Sequence, residues 1–125
     1  DVTGFGIAGH ALEMARGARA TVQMNWSKLP LLDQTISLAE HSCITGASGR
    51  NWLGYGDEIS LDSQLPAIAQ AIVSDPQTSG GLLVACTPES VDEVLAVFHQ
   101  HGFADACEVG EITPASADGI KLQVR

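Results

Sequence analysis

Residues 1–26 read DVTGFGIAGHALEMARGARATVQMNW, and the order of elements in this stretch decides the fold class. Residues 6–16 place Ile7, Ala8, Ala11, Leu12 and Ala15 on one side, the spacing of an amphipathic helix. Gly17 is the expected stop. Residues 20–26 then set Val22, Met24 and Trp26 against Thr21, Gln23 and Asn25, the alternation of a half-buried strand. A helix therefore comes first and a strand second. Gly4, Gly6 and Gly9 spell G-x-G-x-x-G, but a dinucleotide-binding turn needs a strand before the glycines and an acidic residue at the end of the next strand. Asn25-Trp26 stands where that acid should be. The glycines read instead as a tight approach to the helix (Gly4, Gly6) and a close packing point on it (Gly9). The approach leaves backbone N–H groups at the helix mouth, where an anion such as phosphate is favoured.

Working outward, Pro30 opens a second helix carrying Leu31, Ile36, Leu38 and Ala39. Residues 42–63 are rich in Gly, Ser and Asn and read as a long functional loop, with a short extended piece near Trp52. Residues 64–73 look helical. Residues 81–86, GLLVAC, form a continuous apolar run, as expected of a central strand buried on both faces. Residues 88–101 carry Val91, Val94, Leu95 and Phe98 and form an amphipathic helix closed by Gly102. Residues 106–112 and 120–124 are strands, joined by a turn at Ala117-Asp118-Gly119. Helices and strands mix without strict alternation. The expected class is α+β: a mixed or antiparallel sheet covered by helices.

The chain has 125 residues, one domain's worth, and 45% are apolar, enough for a core. No apolar run approaches the ~18 residues of a membrane span, and the first residues lack the basic and apolar regions of a signal peptide. The formal charge of −9, with six scattered Lys and Arg, argues against a nucleic-acid partner. Cys43, Cys86 and Cys107 form no CxxC pair, so the thiols are expected reduced, mostly buried and cytoplasmic. The stretch Asp75-Pro76-Gln77-Thr78-Ser79-Gly80-Gly81 starts a turn and offers small side chains and backbone donors, but in an order and without the Lys that a P-loop requires. Gly80 or Gly81 is expected either to hold φ > 0 or to sit where a Cβ would strike a neighbouring backbone.

DVTGFGIAGH with LEMA and DPQTSGGLL together resemble the signatures of the C-terminal half of selenophosphate synthetases (selenide, water dikinases), within the wider aminoimidazole ribonucleotide synthetase-like superfamily. Gly46, Arg50-Asn51 and Tyr55-Gly56 resemble a further family stretch of the form PGGT-x-RN, although Thr45, Ala47 and Ser48 depart from it. EVGEI, residues 108–112, is similar to the family's penultimate strand. The resemblance covers essentially the whole chain. It implies a ferredoxin-like relative of α+β class and a single C-terminal domain, 1–125, of a two-domain enzyme whose ATP-binding N-terminal domain lies outside this chain. The implied reaction converts ATP, selenide and water to selenophosphate, AMP and phosphate in a cytoplasmic homodimer. The implied cofactor is Mg²⁺, held by Asp1 together with carboxylates of the other domain. Thr3 and Gly4 are the implied phosphate-side residues. The reactive Cys or selenocysteine and its Lys would also lie in the other domain, so this chain alone is expected to be inactive. His10 reads as a buried, hydrogen-bonded helix histidine. Another ATP-dependent synthetase of the superfamily, or a non-enzymatic ligand-binding α+β domain, stays open at this point.

Overall fold

A computed structural model describes residues 1–125. Helix α1, Gly6–Ala18, runs into strand β1, Ala20–Met24. Helices α2, Thr35–Glu40, and α3, Gly46–Tyr55, follow, then β2, Ile59–Leu61, and α4, Ala69–Val73. The chain ends with α5, Val91–Gln100, β3, Gly110–Pro114, and β4, Leu122–Val124. The four strands form one mixed sheet in the order β2-β4-β1-β3. β1 pairs antiparallel with β3, with Val22 opposite Ile112, and parallel with β4, with Val22 opposite Leu122. β2 adds parallel to β4 at the far edge. The α+β class and the mixed sheet agree with the sequence reading.

α1 is built from strong helix formers and buries Ala8, Ala11, Leu12 and Ala15 against the sheet. Their partners in the core are Met24, Leu29, Ile59, Val73, Leu122 and Val124. Arg19, not Gly17, ends this helix in the left-handed conformation, with φ 53°. The next residue must already enter the sheet, so the reversal is forced at residue 19 rather than at the more permissive glycine. β1 is also more buried than its alternation suggests. Thr21, on the face expected to be polar, is only 1% exposed. Its hydroxyl donates to the Ile120 carbonyl at 3.0 Å and accepts from the Ser116 N–H at 2.9 Å, which satisfies the buried oxygen.

Several elements differ from the sequence expectation. Residues 42–63 are not a loop: they hold α3, a 3₁₀ turn over Gly56–Glu58, and β2. The Thr45 side chain caps α3 by accepting from the Ser48 N–H at 3.2 Å. Ser48, Asn51, Trp52 and Tyr55 share one face at helical spacing: Trp52 and Tyr55 pack against the core, but Ser48 and Asn51 make polar contacts, so an apolar count misses the helix. Residues 81–86 are not a central strand and join no ladder. The inner positions of the sheet are filled by β4 and β1, and Leu82 and Val84 remain exposed. The apolar run instead lines a groove of about 1010 Å³, facing Val91, Val94, Leu95 and Phe98 of α5. Finally, α2 starts at Thr35 rather than Pro30, and α4 is shorter than the predicted 64–73. Gln34, with φ 67°, is left-handed and sets the start of α2, while the pre-proline bias keeps Leu65 out of helix.

Candidate functional site

The N-terminal segment is held between α3 and the turn after α4. The Val2 N–H donates to the Gly81 carbonyl at 2.9 Å, and the Gln77 N–H donates to the Thr3 carbonyl at 3.0 Å. Asn51 Nδ2 donates to the carbonyls of both Gly4, at 2.8 Å, and Ser74, at 3.0 Å. Tyr55 Oη donates to the Phe5 carbonyl at 2.6 Å. Thr45 Oγ1 donates to Asp75 Oδ1 at 3.0 Å. The three stretches singled out in the sequence, DVTGFG, GASGRN and DPQTSGG, therefore meet at one rim.

Two buried hydroxyls complete the clamp. Ser48 Oγ donates to the Ala71 carbonyl at 2.6 Å and lies 2.9 Å from Ser74 Oγ. Ser74 Oγ in turn donates to the Gln70 carbonyl at 2.7 Å. No buried side-chain polar atom is left without a partner. Apart from Thr45–Asp75 and the Ser48–Ser74 pair, each of these contacts ends on a backbone carbonyl. The result is a rigid rim in which the head of α1 is set by polar side chains of α3.

Two glycines allow the approach. Gly6 has φ +68°, and a Cβ there would lie 2.8 Å from the Ser74 carbonyl carbon and the Val73 oxygen. A Cβ on Gly80 would overlap the Val2 carbonyl oxygen, whereas one on Gly81 would meet nothing within 4 Å. Gly80 thus fulfils the expectation by close approach, not by a positive φ. Its neighbour is free of the constraint.

Of the expected ligand-facing residues, Asp1 and Gly4 are exposed and Thr3 is half-buried. Thr3 Oγ1 lies 3.1 Å from His10 Nε2, and His10 Nδ1 lies 2.9 Å from Glu13 Oε2. His10 is thus a hydrogen-bonded helix histidine as expected, but it is half-buried rather than buried, because it sits at the open mouth of α1 beside the exposed Glu13. Glu13 and Ser74 were not singled out there, and Thr45 and Ser48 entered only as departures from the family stretch. The Thr45-x-x-Ser48 spacing was the one available signal for the cap. Nearby, a depression of about 270 Å³ is lined by Glu13, Arg16, Arg50 and Tyr55, among others. Arg16 is bound to Glu58, with Nε to Oε2 at 3.3 Å, and this hydrogen bond holds the Glu58 carboxyl below the usual range. Burial pushes the Tyr55 phenol up to about 12.

The cysteines correct the sequence reading: all three are exposed, not buried, and none is paired. They border the open groove rather than the core, and Cys107 Sγ donates to the Lys28 carbonyl at 3.1 Å. No three His, Cys, Asp or Glu side chains converge as a metal centre. Asp1 is thus a single hard-oxygen donor, compatible with one ligand position of a Mg²⁺ ion that otherwise keeps water and phosphate oxygens.

A helix mouth clamped by the turn at 75–81, on an α+β sheet, gives this domain a polar rim. The chain belongs to the family described as AIR synthase related protein, C-terminal domain, whose model matches residues 1–123. It is 54% identical over 112 residues to a selenide, water dikinase of Paraburkholderia xenovorans, a match covering 90% of this chain and 32% of that protein. Identity to a protein of the same name in Burkholderia pseudomallei is 53% over 117 residues, covering 94% of this chain and 33% of that one. A more distant selenide, water dikinase, of Rhizobium meliloti, is 45% identical over 117 residues, covering 94% and 34%. The chain spans about a third of the length of these relatives. No helix is long and apolar enough to cross a membrane.

Proposed function

We propose that this chain is the C-terminal domain of an ATP-dependent selenophosphate synthetase, acting within a longer two-domain protein. One observation carries the reading: the three family-like stretches, far apart in sequence, close on one another through Asn51, Gln77 and Gly81. The identity of about one half to proteins named selenide, water dikinase supports the same reading. In this proposal the rim at Asp1, Thr3 and Gly4 faces the ATP phosphates. Asp1 supplies one carboxylate oxygen for Mg²⁺, and the remaining protein ligands come from the other domain. The bound ion neutralises phosphate charge during phosphoryl transfer. The clamp formed by Asn51, Tyr55 and the turn at 75–81 keeps this rim in one geometry, which is the protein's main lever in phosphoryl transfer. The longer protein is proposed to be a cytoplasmic homodimer whose substrates are small molecules, with no nucleic-acid partner.

The test uses the longer protein with ATP, Mg²⁺ and selenide under reducing conditions. Selenophosphate is followed by phosphorus NMR and AMP by chromatography. Formation of both in equal amounts is the expected result. ATP cleavage that ignores selenide but responds to an amide or carbamoyl substrate would overturn the proposal in favour of another synthetase of the superfamily.

A further inference from the structure

Residues 82–86 have the composition of a strand but no ladder. None of their N–H or carbonyl groups has a backbone partner. Leu82 and Val84 are 65% and 50% exposed. An apolar run with a bare backbone is a template for an added strand. The first rung of such a pairing is already present just before this run. The Val2 N–H donates to the Gly81 carbonyl at 2.9 Å, and the Gln77 N–H donates to the Thr3 carbonyl at 3.0 Å. Stepping back from Thr3 to Val2 advances the partner from Gln77 to Gly81, so the two segments run in opposite directions. Their side chains alternate in step as well. Val2 is buried and Leu83 packs against the core, whereas Asp1 and Leu82 are exposed. Opposed residues of an antiparallel pair share a face, and successive residues change face.

We infer that the segment directly preceding Asp1 in the longer protein adds to residues 82–86 as an antiparallel strand. In the register set by Val2 and Gly81, the residue immediately before Asp1 stands opposite Leu83, the third before it opposite Ala85, and the fourth opposite Cys86. The first and third share the inward face of Val2 and Leu83, so their side chains cover the part of the apolar groove that these two residues line. The inference rests on the proposal that another domain precedes this one in a longer protein, of whose relatives this chain spans about a third. Covalent continuity through Val2 delivers the segment to the groove, so the pairing is intramolecular and avoids the entropy cost of capturing a second molecule. The added strand runs without a break into Asp1, Thr3 and Gly4, and so ties the proposed ligand-facing rim to the junction between the domains.

Two measurements on the longer protein test it. In the first, the fourth residue before Asp1 is replaced by Cys, the protein is oxidised with copper phenanthroline, and disulfides are mapped by peptide mass spectrometry. Cys86 is exposed and unpaired. The register makes this a non-hydrogen-bonded pair with Cα atoms about 4.5 Å apart, within the span of a disulfide. A bond to Cys86 within one molecule is expected, in at least about tenfold higher yield than from a Cys at the third residue, which points to the other face. Absence of that bond overturns the inference. A bond to Cys86 that joins two molecules also overturns it, and assigns the run to a second copy. The second measurement needs no substitution and follows amide hydrogen exchange residue by residue by NMR. The pairing turns the N–H groups of Leu83 and Ala85 toward the added strand and those of Leu82 and Val84 away from it. Leu83 and Ala85 are expected to exchange about a hundredfold more slowly than Leu82 and Val84. Equal rates along the run overturn the inference. Selenophosphate formation by the same sample separates the two readings: pairing without selenophosphate keeps the strand and removes the proposed reaction, and selenophosphate without pairing does the reverse.

Discussion

Gly6→Ala is the sharpest test of how the rim is built. Gly6 sits at φ +68°, a conformation that costs an L-residue about 1–2 kcal/mol. The added methyl would also lie 2.8 Å from the Val73 oxygen and the Ser74 carbonyl carbon, and 2.9 Å from the Asp75 oxygen. All three are backbone atoms, so no flexible side chain can move aside, and overpacking of this kind costs about 1–3 kcal/mol. The two terms together give about 2–5 kcal/mol. For a domain of this size, each kcal/mol lowers Tm by about 4 °C, so a loss of about 8–20 °C is expected. Thermal unfolding followed by circular dichroism measures it. Gly4→Ala and Gly81→Ala are the controls. A Cβ at either site meets nothing within 4 Å and neither has a positive φ, so both variants should stay within about 0.5 kcal/mol of the wild type. A Gly6→Ala variant that melts within 2 °C of the wild type, on the order of experimental scatter, would refute the reasoning. A loss equal to that of the controls would do the same.

Gly80→Ala should also destabilise, by about 1 kcal/mol or more, because the new Cβ would run into the Val2 carbonyl; nucleotide affinity measured alongside separates a packing role from a ligand-facing one. Asp1→Asn in the longer protein should lower activity by about tenfold or more, with partial recovery at raised Mg²⁺; equal activity at every Mg²⁺ level would remove the metal role. The 125-residue chain alone should release no AMP from ATP in the presence of selenide, and turnover at the rate of the longer protein would show that the site is complete here. Tyr55 is the only tyrosine, so absorbance near 295 nm reports its ionisation alone, which should occur at about 12. Because the folded value lies above the unfolded one of about 10, the folded state holds more protons between these limits, and stability should fall as pH rises through that window. A midpoint near 10 in the folded protein would contradict the burial of the phenol.

What the sequence revealed depended on which interaction forms each element. α1 and the existence of strand β1 were legible because Ala8, Ala11, Leu12 and Met24 bury apolar surface at regular spacing, and periodicity measures that quantity; the inner place of β1 in the sheet was not. α3 was not legible, because its inward face carries Ser48 and Asn51, which bond to backbone carbonyls of residues 4, 71 and 74. Those partners are distant in sequence, so nothing local announces them. Residues 81–86 misled in the opposite sense. Leu82, Leu83 and Val84 have the composition of a buried strand, but composition records only that apolar surface needs cover, not which surface gives it. Here the run borders a groove shared with α5. At the site, Asp1, Thr3 and Gly4 were named through resemblance, whereas Glu13 came into view only once α1 placed it one turn beyond His10.

These observations share one physical cause. The core of this domain is small, and the segment that carries Asp1, Thr3 and Gly4 contributes only Val2 and Gly6 to its buried residues. Hydrophobic burial alone cannot hold such a segment in one geometry, since it is non-directional. Directional contacts do so instead: Asn51 grips Gly4 and Ser74 at once, Tyr55 grips Phe5, and Gln77 and Gly81 grip Thr3 and Val2 through the backbone. Each of these partners lies on α3 or on the turn at 75–81, so any displacement of α3 against α4 must move the rim with it. Ser48, whose hydroxyl donates from α3 to the Ala71 carbonyl of α4 at 2.6 Å, is the point where such a displacement would first be resisted. The geometry of the residues proposed to face the ligand is therefore set from behind, by hydroxyl and amide groups of α3 and the turn after α4, and in that proposal the front depends on the polar packing at the back.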